Sequence, residues 1–463
     1  MKKGTTVLII YGLLILTGCC PVITSFNPER GGIGTEVTIE GKRFENVPSK
    51  NVVKFGGVLV PTADIPFASP TRIKAKVPVG ARTGPISVRN RFTFCTVTSE
   101  NNFIVVKPLS VRARHNPLYK AESHISTISV NAEDSISGIN KVTLTITKGK
   151  MTDCTELGAM ASVIPCRKDA VTFTHVCTYP AALTEVMCQY SENFGDEAII
   201  TYKAVAESGV GVATESEEIT FAAGYPPSGV LARPIWWHRS DPMGSKIDIG
   251  FFPDADYTGI YSDFTPHLET IVSGAFFNIQ PFAQTYTENR KLFNLWAAPF
   301  GADAEHDLYS ISFHSSLTPI TGAMDGNVIV HKVQFRDFAT LSLGGEGTVF
   351  GNAGDAGWIF MHESGHFLYG QGDEYCCDGG YGTAWACKNV FSSQSSCRSY
   401  ALANSFNPDS CVEIASGTTH TGAWRFDGDL DTLRDRNVYS DWRDGCRKCV
   451  LEILNRCATG SCY

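Results

Sequence analysis

The sequence predicts a multidomain chain: two N-terminal all-β sandwiches followed by an α/β (α+β) domain. Three observations lead there. The length of 463 residues suffices for two to four domains at about 100–200 residues each. Up to residue 224 the apolar residues alternate with polar ones in short runs broken by glycine and proline. Beyond residue 225, helical spacing appears between strand-like runs. The composition is 43% hydrophobic, 19% charged and 11% aromatic, which excludes a disordered chain. With 39 Lys+Arg against 47 Asp+Glu the formal net charge is −8, so nucleic acid is a poor partner. Sixteen cysteines leave two classes open, an exported disulfide protein and an intracellular metal-cluster protein.

Residues 1–18 decide between them by reading as a signal peptide. Lys2 and Lys3 form a positive n-region, and Val7 to Leu16 form an apolar stretch too short to span a bilayer. Small residues follow. Leu16-Thr17-Gly18-Cys19 resembles the bacterial lipobox, which implies that Cys19 carries a lipid as the first residue of the mature chain. Ordinary cleavage near Gly18 with a soluble product is the alternative. The expectation is an exported, cell-envelope protein held at the membrane through Cys19. Removing residues 1–18 takes away two lysines and no acid, giving a net charge of −10. That weighs against polybasic attachment to the membrane.

The first predicted domain is 19–107. Val22 to Phe26, Gly34 to Gly41, Asn51 to Gly57, Ile73 to Pro78 and Gly84 to Val88 are its candidate strands. The run P-x-I-x-x-F-x-P, G-x-x-V-x-I-x-G-x-x-F, V-x-F-G and a V-P-x-G turn resembles the IPT/TIG immunoglobulin-like domain, a module that serves as spacer or binding unit. The second predicted domain is 108–224. Thr127 to Val130 and Val142 to Ile146 alternate around an Asp134 to Ile139 turn that resembles bacterial Ig-like domains. Ala198 to Ala206 and Glu218 to Phe221 close the unit. Cys154, Cys166, Cys177 and Cys188 suggest two local disulfides, with three pairings open.

The third predicted domain is 225–463, entered through Tyr225 to Gly229. Ile247 to Phe252 reads as its first strand and Phe264 to Phe277 as a helix. Phe293 to Ala298, Val328 to Val330 and Phe338 to Leu343 are further strands, and the last could offer an exposed edge to an extended peptide.

The chemistry gathers at His362-Glu363-Ser364-Gly365-His366. Two histidines at i and i+4 share a helix face and can hold one Zn²⁺. Glu363 stands beside them, placed to take a proton from a zinc-bound water. Asn352 or Asp355 could cap the helix. Trp358, Ile359, Phe360 and Phe367 would bury it, and Gly370 could turn the chain back. A carboxylate just beyond would complete an open three-ligand site. A buried helix with two satisfied histidines is the plainer alternative.

His362-Glu363-x-x-His366-x-x-x-Gly370-x-x-Asp373-Glu374-Tyr375 resembles the IgA-peptidase-type family of zinc metallopeptidases, relatives of the metzincins. Asp248 to Phe251, Phe276-Phe277 with Pro281-Phe282, Phe293 to Trp296 and the Gly344-Gly345-x-Gly347 turn extend the resemblance over roughly 245–460. It implies a metzincin-like fold, with His362, His366 and Asp373 as zinc ligands and Glu363 as general base and then proton donor. Glu374 is the alternative ligand, and Tyr375 packs below or steadies an oxyanion. A methionine turn below the metal has no counterpart, because Met361 is the last methionine.

Other motifs carry less. Asp427-Gly428-Asp429-Leu430-Asp431 spaces carboxylates like a Ca²⁺ loop but lacks the closing acid. Cys446-Arg447-Lys448-Cys449 fits structural disulfides better than redox work. His420 could line the cleft, and Trp236-Trp237-His238 reads as interface packing. Nine cysteines, from Cys376 to Cys462, follow the histidine motif and should staple the loops around it. Their odd number leaves one over, for Cys95 or Cys20 or none. The functional expectation is a membrane-anchored zinc endopeptidase acting on extracellular or host (glyco)proteins. The rival is a surface binding or adhesion lipoprotein whose metal site does not turn over.

Overall fold

The structure is a computed structural model that describes residues 20–78, 80–90, 95–118, 125–152, 165–224, 232–240, 245–258, 260–278, 283–298, 301–305, 310–340, 344–371, 390–403, 408–413, 424–426 and 444–458.

Residues 22–105 form two facing sheets. One orders Val22–Asn27, Glu36–Lys42, Arg72–Lys76 and Phe67–Ser69; the other orders Arg30–Gly31, Thr96–Val105, Gly84–Asn90, Asn51–Phe55 and Val58–Leu59. The predicted alternation is what closes the sandwich. Val37, Ile39, Val53, Phe55, Ile73, Ile86 and Val88 point inward around Phe103, which meets Phe55 edge-on at 5.1 Å. Gly41 is required, since a Cβ there would lie 2.0 Å from the Val22 carbonyl. Cys20 pairs with Cys95 at a Cα separation of 5.3 Å. This corrects the expectation that one of the two could take the odd C-terminal cysteine: each satisfies the other across the sandwich.

Residues 110–223 form a second pair of sheets. Ser110–Asn116, Ile125–Glu133 and Glu185–Asn193 make one. The other orders Cys166–Leu183, Ile139–Thr152, Ala198–Ser208 and Ala213–Glu215, with Ile219–Ala223 also on Ala198–Ser208. Cys177–Cys188 ties the sheets together, and Cys166 is also disulfide-bonded. The predicted turn is held by Asp134, whose Oδ1 accepts from the Ile136 and Ser137 amides and whose Oδ2 accepts from the Ser137 hydroxyl.

The third unit centres on a five-stranded sheet ordered Arg233–Trp236, Phe293–Ala297, Ile247–Pro253, Gly326–His331 and Glu346–Phe350. The last four run parallel, and the first is antiparallel to its neighbour. Both faces are covered, so the strands are buried almost throughout and largely apolar, with Arg233, Asp248, Asn294, Asn327 and His331 as buried polar exceptions. Phe251 and Val328 face a core shared with Leu268, Phe276, Phe360 and Phe367; Phe252 and Ile329 face one shared with Leu317 and Ile320. The predicted 264–277 helix is a continuous helical run, α over Thr265–Val272 with π turns on either side.

Two expectations need correction here. The predicted strand 338–343 is much less. Residues 338–340 lie half-exposed along the outer side of Glu346–Phe350, with an antiparallel bridge at Ala339 and backbone bonds at Phe338 and Thr340; 341–343 fall outside the described residues. The Gly344 to Gly347 turn instead runs into a strand. Gly347 sits inside it because a Cβ would lie 2.8 Å from the Phe367 ring.

The second and third units share one apolar core. His115 stacks on Phe221 at 3.9 Å between ring centroids and on Trp236 at 6.0 Å. Thr220 bridges to Trp237 as a strand pair. The Leu118 amide donates to Glu269 at 2.6 Å, and Arg114 donates to the Ser273 hydroxyl at 2.8 Å. Trp236, Trp237 and His238 are all buried at this seam. The first sandwich has a separate core.

Candidate metal centre

The Ala356–Phe367 helix carries the three predicted side chains. It follows directly on Glu346–Phe350 and packs across the sheet. Two features bring it close. Gly357 meets Gly274 of the 260–277 run backbone to backbone, and a Cβ on Gly357 would lie 2.7 Å from the Gly274 Cα. At the other end Phe367 fills the space left by Gly326 and Gly347. Asp355 is the residue before the helix, but it makes no side-chain cap. Its carbonyl accepts from the Trp358 and Ile359 amides instead. That corrects the expected capping role.

His362, Glu363 and His366 are buried, and one donor atom from each lies within 4.8 Å of the others. The two imidazoles stand edge to face, 5.0 Å apart at 87°. Trp358, one turn before, stacks on His362 at 5.8 Å and 29°. The helix ends at Gly370, which takes φ 63°, and its amide donates to the His366 carbonyl at 2.8 Å. This reversal brings the Gln371 carbonyl to 2.6 Å from His366 Nδ1. A carbonyl only accepts, so Nδ1 carries the proton and the His366 lone pair is at Nε2. That is the tautomer a metal-ligating histidine takes when its other nitrogen is held by an acceptor. Below the helix, the Tyr286 hydroxyl donates to Ser364 Oγ at 2.9 Å, and Ser364 donates to the Met361 carbonyl at 3.0 Å. Tyr286 is stacked on Phe276 at 5.0 Å and 11°. The turn between the two histidines is thus held from its buried side.

The predicted third ligand Asp373, its alternative Glu374 and Tyr375 lie outside the described residues. So do the Asp427 to Asp431 loop and His420. Cys449 is disulfide-bonded on the Asp444–Ala458 helix, and Cys397 pairs with Cys411. Sequence reasoning passed over Gln371, Tyr286 and the stacking of Trp358. Gln371 acts through its backbone and so leaves no side-chain signal. Tyr286 lies 78 positions from Ser364.

Among the described residues a second group, His175, Cys177 and Cys188, brings donor atoms together, and its two sulfurs are already joined as a disulfide.

Comparison with known proteins speaks to the N-terminal part. Residues 21–105 match the IPT/TIG domain family. The first sandwich is an IPT/TIG domain. The domain therefore occupies the two-sheet unit that ends at Val105, as its motif run implied. No curated protein matches the chain. Among solved structures, an auxiliary nutrient binding protein from Bacteroides thetaiotaomicron is similar at 15% identity and TM-score 0.20, over 44% of this chain and 53% of that one. A second, from Bacteroides ovatus, gives 13% and 0.20 over 46% and 64%. A gamma-CGTase from alkalophilic Bacillus clarkii gives 15% and 0.17 over 45% and 28%. The chain spans less than two thirds of the length of each.

Proposed function

We propose that the chain is an exported, lipid-anchored zinc endopeptidase whose C-terminal unit is metzincin-like. The observation that carries this reading is the donor set of His362, Glu363 and His366 together with the Nδ1–H of His366 held by the Gln371 carbonyl. Structural histidines do not need a fixed lone pair converging with a carboxylate, and a ligand does. His362 and His366 would hold the ion with Asp373, leaving a position open. When bound, zinc supplies a Lewis acid that polarises a peptide carbonyl and makes water nucleophilic near neutral pH.

The protein's own groups do the rest. Glu363 accepts the proton of the attacking water and hands it to the departing amine. Tyr286 and Ser364 hold the helix turn between the two histidines in place. The half-exposed 338–340 segment, already a strand partner of Glu346–Phe350, offers its outer side to an extended substrate. The substrates are extracellular or host (glyco)proteins, consistent with export and with the disulfides. A Ca²⁺ ion plays no part in this scheme.

The test is cleavage of a mixture of folded and unfolded proteins by the purified chain. Cleavage that a zinc chelator abolishes and added zinc restores supports the reading. Tight retention of a glycan or protein with no cleavage at any zinc level would instead establish the adhesion alternative, which the IPT/TIG domain at the membrane end favours.

A further inference from the structure

We infer that the end of the IPT/TIG sandwich bearing Cys20–Cys95 rests directly on the bilayer, with lipid headgroups as its binding partner. The inference rests on Cys19 being the lipid-carrying residue. Cys19 itself lies outside the described residues, but its neighbour is fixed. Consecutive Cα atoms are about 3.8 Å apart, so an acyl chain on Cys19 is attached one residue from a sandwich disulfide. Cys20 is held by its bond to Cys95, and its carbonyl accepts from Arg43 at 3.3 Å. Two residues later Val22 is in register with Lys42 in the sheet. No flexible spacer separates the lipid from the folded domain, so the domain cannot stand away from the surface.

The chemistry of that end suits the position. Lys42 at the end of its strand and Arg43 in the loop after it are both exposed, and Val47 further along that loop is 38% exposed. Lys50 stands on the following 3-10 turn. Glu45, the acid of this loop, accepts from the Asn90 amide and turns toward its own domain. A basic rim around an apolar tip complements anionic headgroups. The chain as a whole carries a formal charge of −8, so this patch opposes the bulk charge. The Thr96–Val105 strand then runs the length of the domain and leaves at the far end, where Val106 bonds back to Gly31 beside Ile33, 58% exposed.

The experiment uses the full chain, made with its signal in a bacterium and reconstituted in phosphatidylethanolamine–phosphatidylglycerol vesicles with brominated acyl chains. Tryptophan is placed at Val47→Trp or, as the far-end control, Ile33→Trp, and the emission of the parent chain is subtracted. Mass spectrometry of the N-terminal peptide first decides acylation. An unmodified Cys19 would end the anchoring reading itself. With Cys19 acylated, the expected result is loss of the emission added at 47 and full retention at 33. A ten-residue Gly/Ser insertion between Cys19 and Cys20 should restore the emission at 47 while the chain stays on the vesicles. Equal quenching at the two positions, no quenching at 47, or quenching that the insertion leaves unchanged would overturn the inference.

Discussion

Gly370 decides where His366 keeps its proton. At φ 63° only glycine sits without strain, and the turn it makes delivers the Gln371 carbonyl to His366 Nδ1. Gly370→Ala is expected to cost about 1 kcal/mol and to lower zinc affinity roughly tenfold, the effect of losing a partner that orients a ligand. Zinc titration with a competing chelator reads this, and unchanged affinity would mean that the carbonyl does not orient the ring. A second residue-scale effect concerns pH. Asp325 Oδ2 accepts from the Asp248 amide at 2.8 Å, and burial pushes its carboxyl up from 3.8 to about 6. The native state then holds a proton that the unfolded chain has released. Its contribution is complete below the unfolded value and disappears as pH rises through the folded one. Asp325→Asn keeps an acceptor oxygen and should make the chain relatively more stable above pH 6, by about 2 kcal/mol. Thermal melts of the two proteins from pH 4 to 7 should diverge with rising pH; parallel curves would refute it.

Elements were legible where alternation was clean. The strands at 22–27, 36–42, 51–55, 72–76 and 84–90 sit where the short apolar runs and turn residues placed them; in the last four alternate side chains feed a core, and in the first Phe26 does. The Cys166–Leu183 strand also carries a period of two in its sequence. Val171, Phe173, His175, Cys177 and Tyr179 recur there at every second position. Glu346–Phe350 was not readable in this way. Its Gly347 marks a turn by local rules, and only the arrival of Phe367 from the helix explains a glycine inside a strand. The histidine helix itself was plain from its spacing. What the spacing could not show is the backbone contact of Gly357 with Gly274 that sets its height above the sheet. Gly357→Ala should force the two helices apart, cost about 1–3 kcal/mol and weaken zinc binding. Gly354→Ala, where a Cβ meets nothing within 4 Å, should do neither. Equal melting temperatures for the two variants would contradict the close crossing.

At the scale of the whole molecule, the second and third units share one apolar core while the first has its own. The change of composition at 225 marks a linker, and His115, Phe221 and Trp236 stack across it. The IPT/TIG domain, with its own core, should unfold independently of the rest, whereas 225–463 alone should not fold and 108–463 should. Calorimetry of the intact chain should therefore resolve two transitions, and a stable, cooperatively folded 225–463 fragment would disprove the shared core. Acid should act on the seam. His115 is wholly buried, and burial lowers its pKa from 6.5 to about 3. The unfolded chain takes up a proton that the native state refuses. Stability is present above the unfolded value and is lost as pH falls from 6.5 toward 3, so the transition that contains the seam should drop in this window while His115→Gln flattens it.

The central claim is that Glu363 moves protons beside a zinc ion held by His362 and His366. Glu363→Gln preserves shape and hydrogen-bonding capacity and removes the base. Zinc content and protein cleavage, measured together on wild type and this variant, test the claim most directly. Equal zinc, one ion per chain, is expected for both proteins, with cleavage lost in the variant by a factor of at least about a hundred. Full cleavage by the variant, or purified wild type that takes up no zinc, would contradict it.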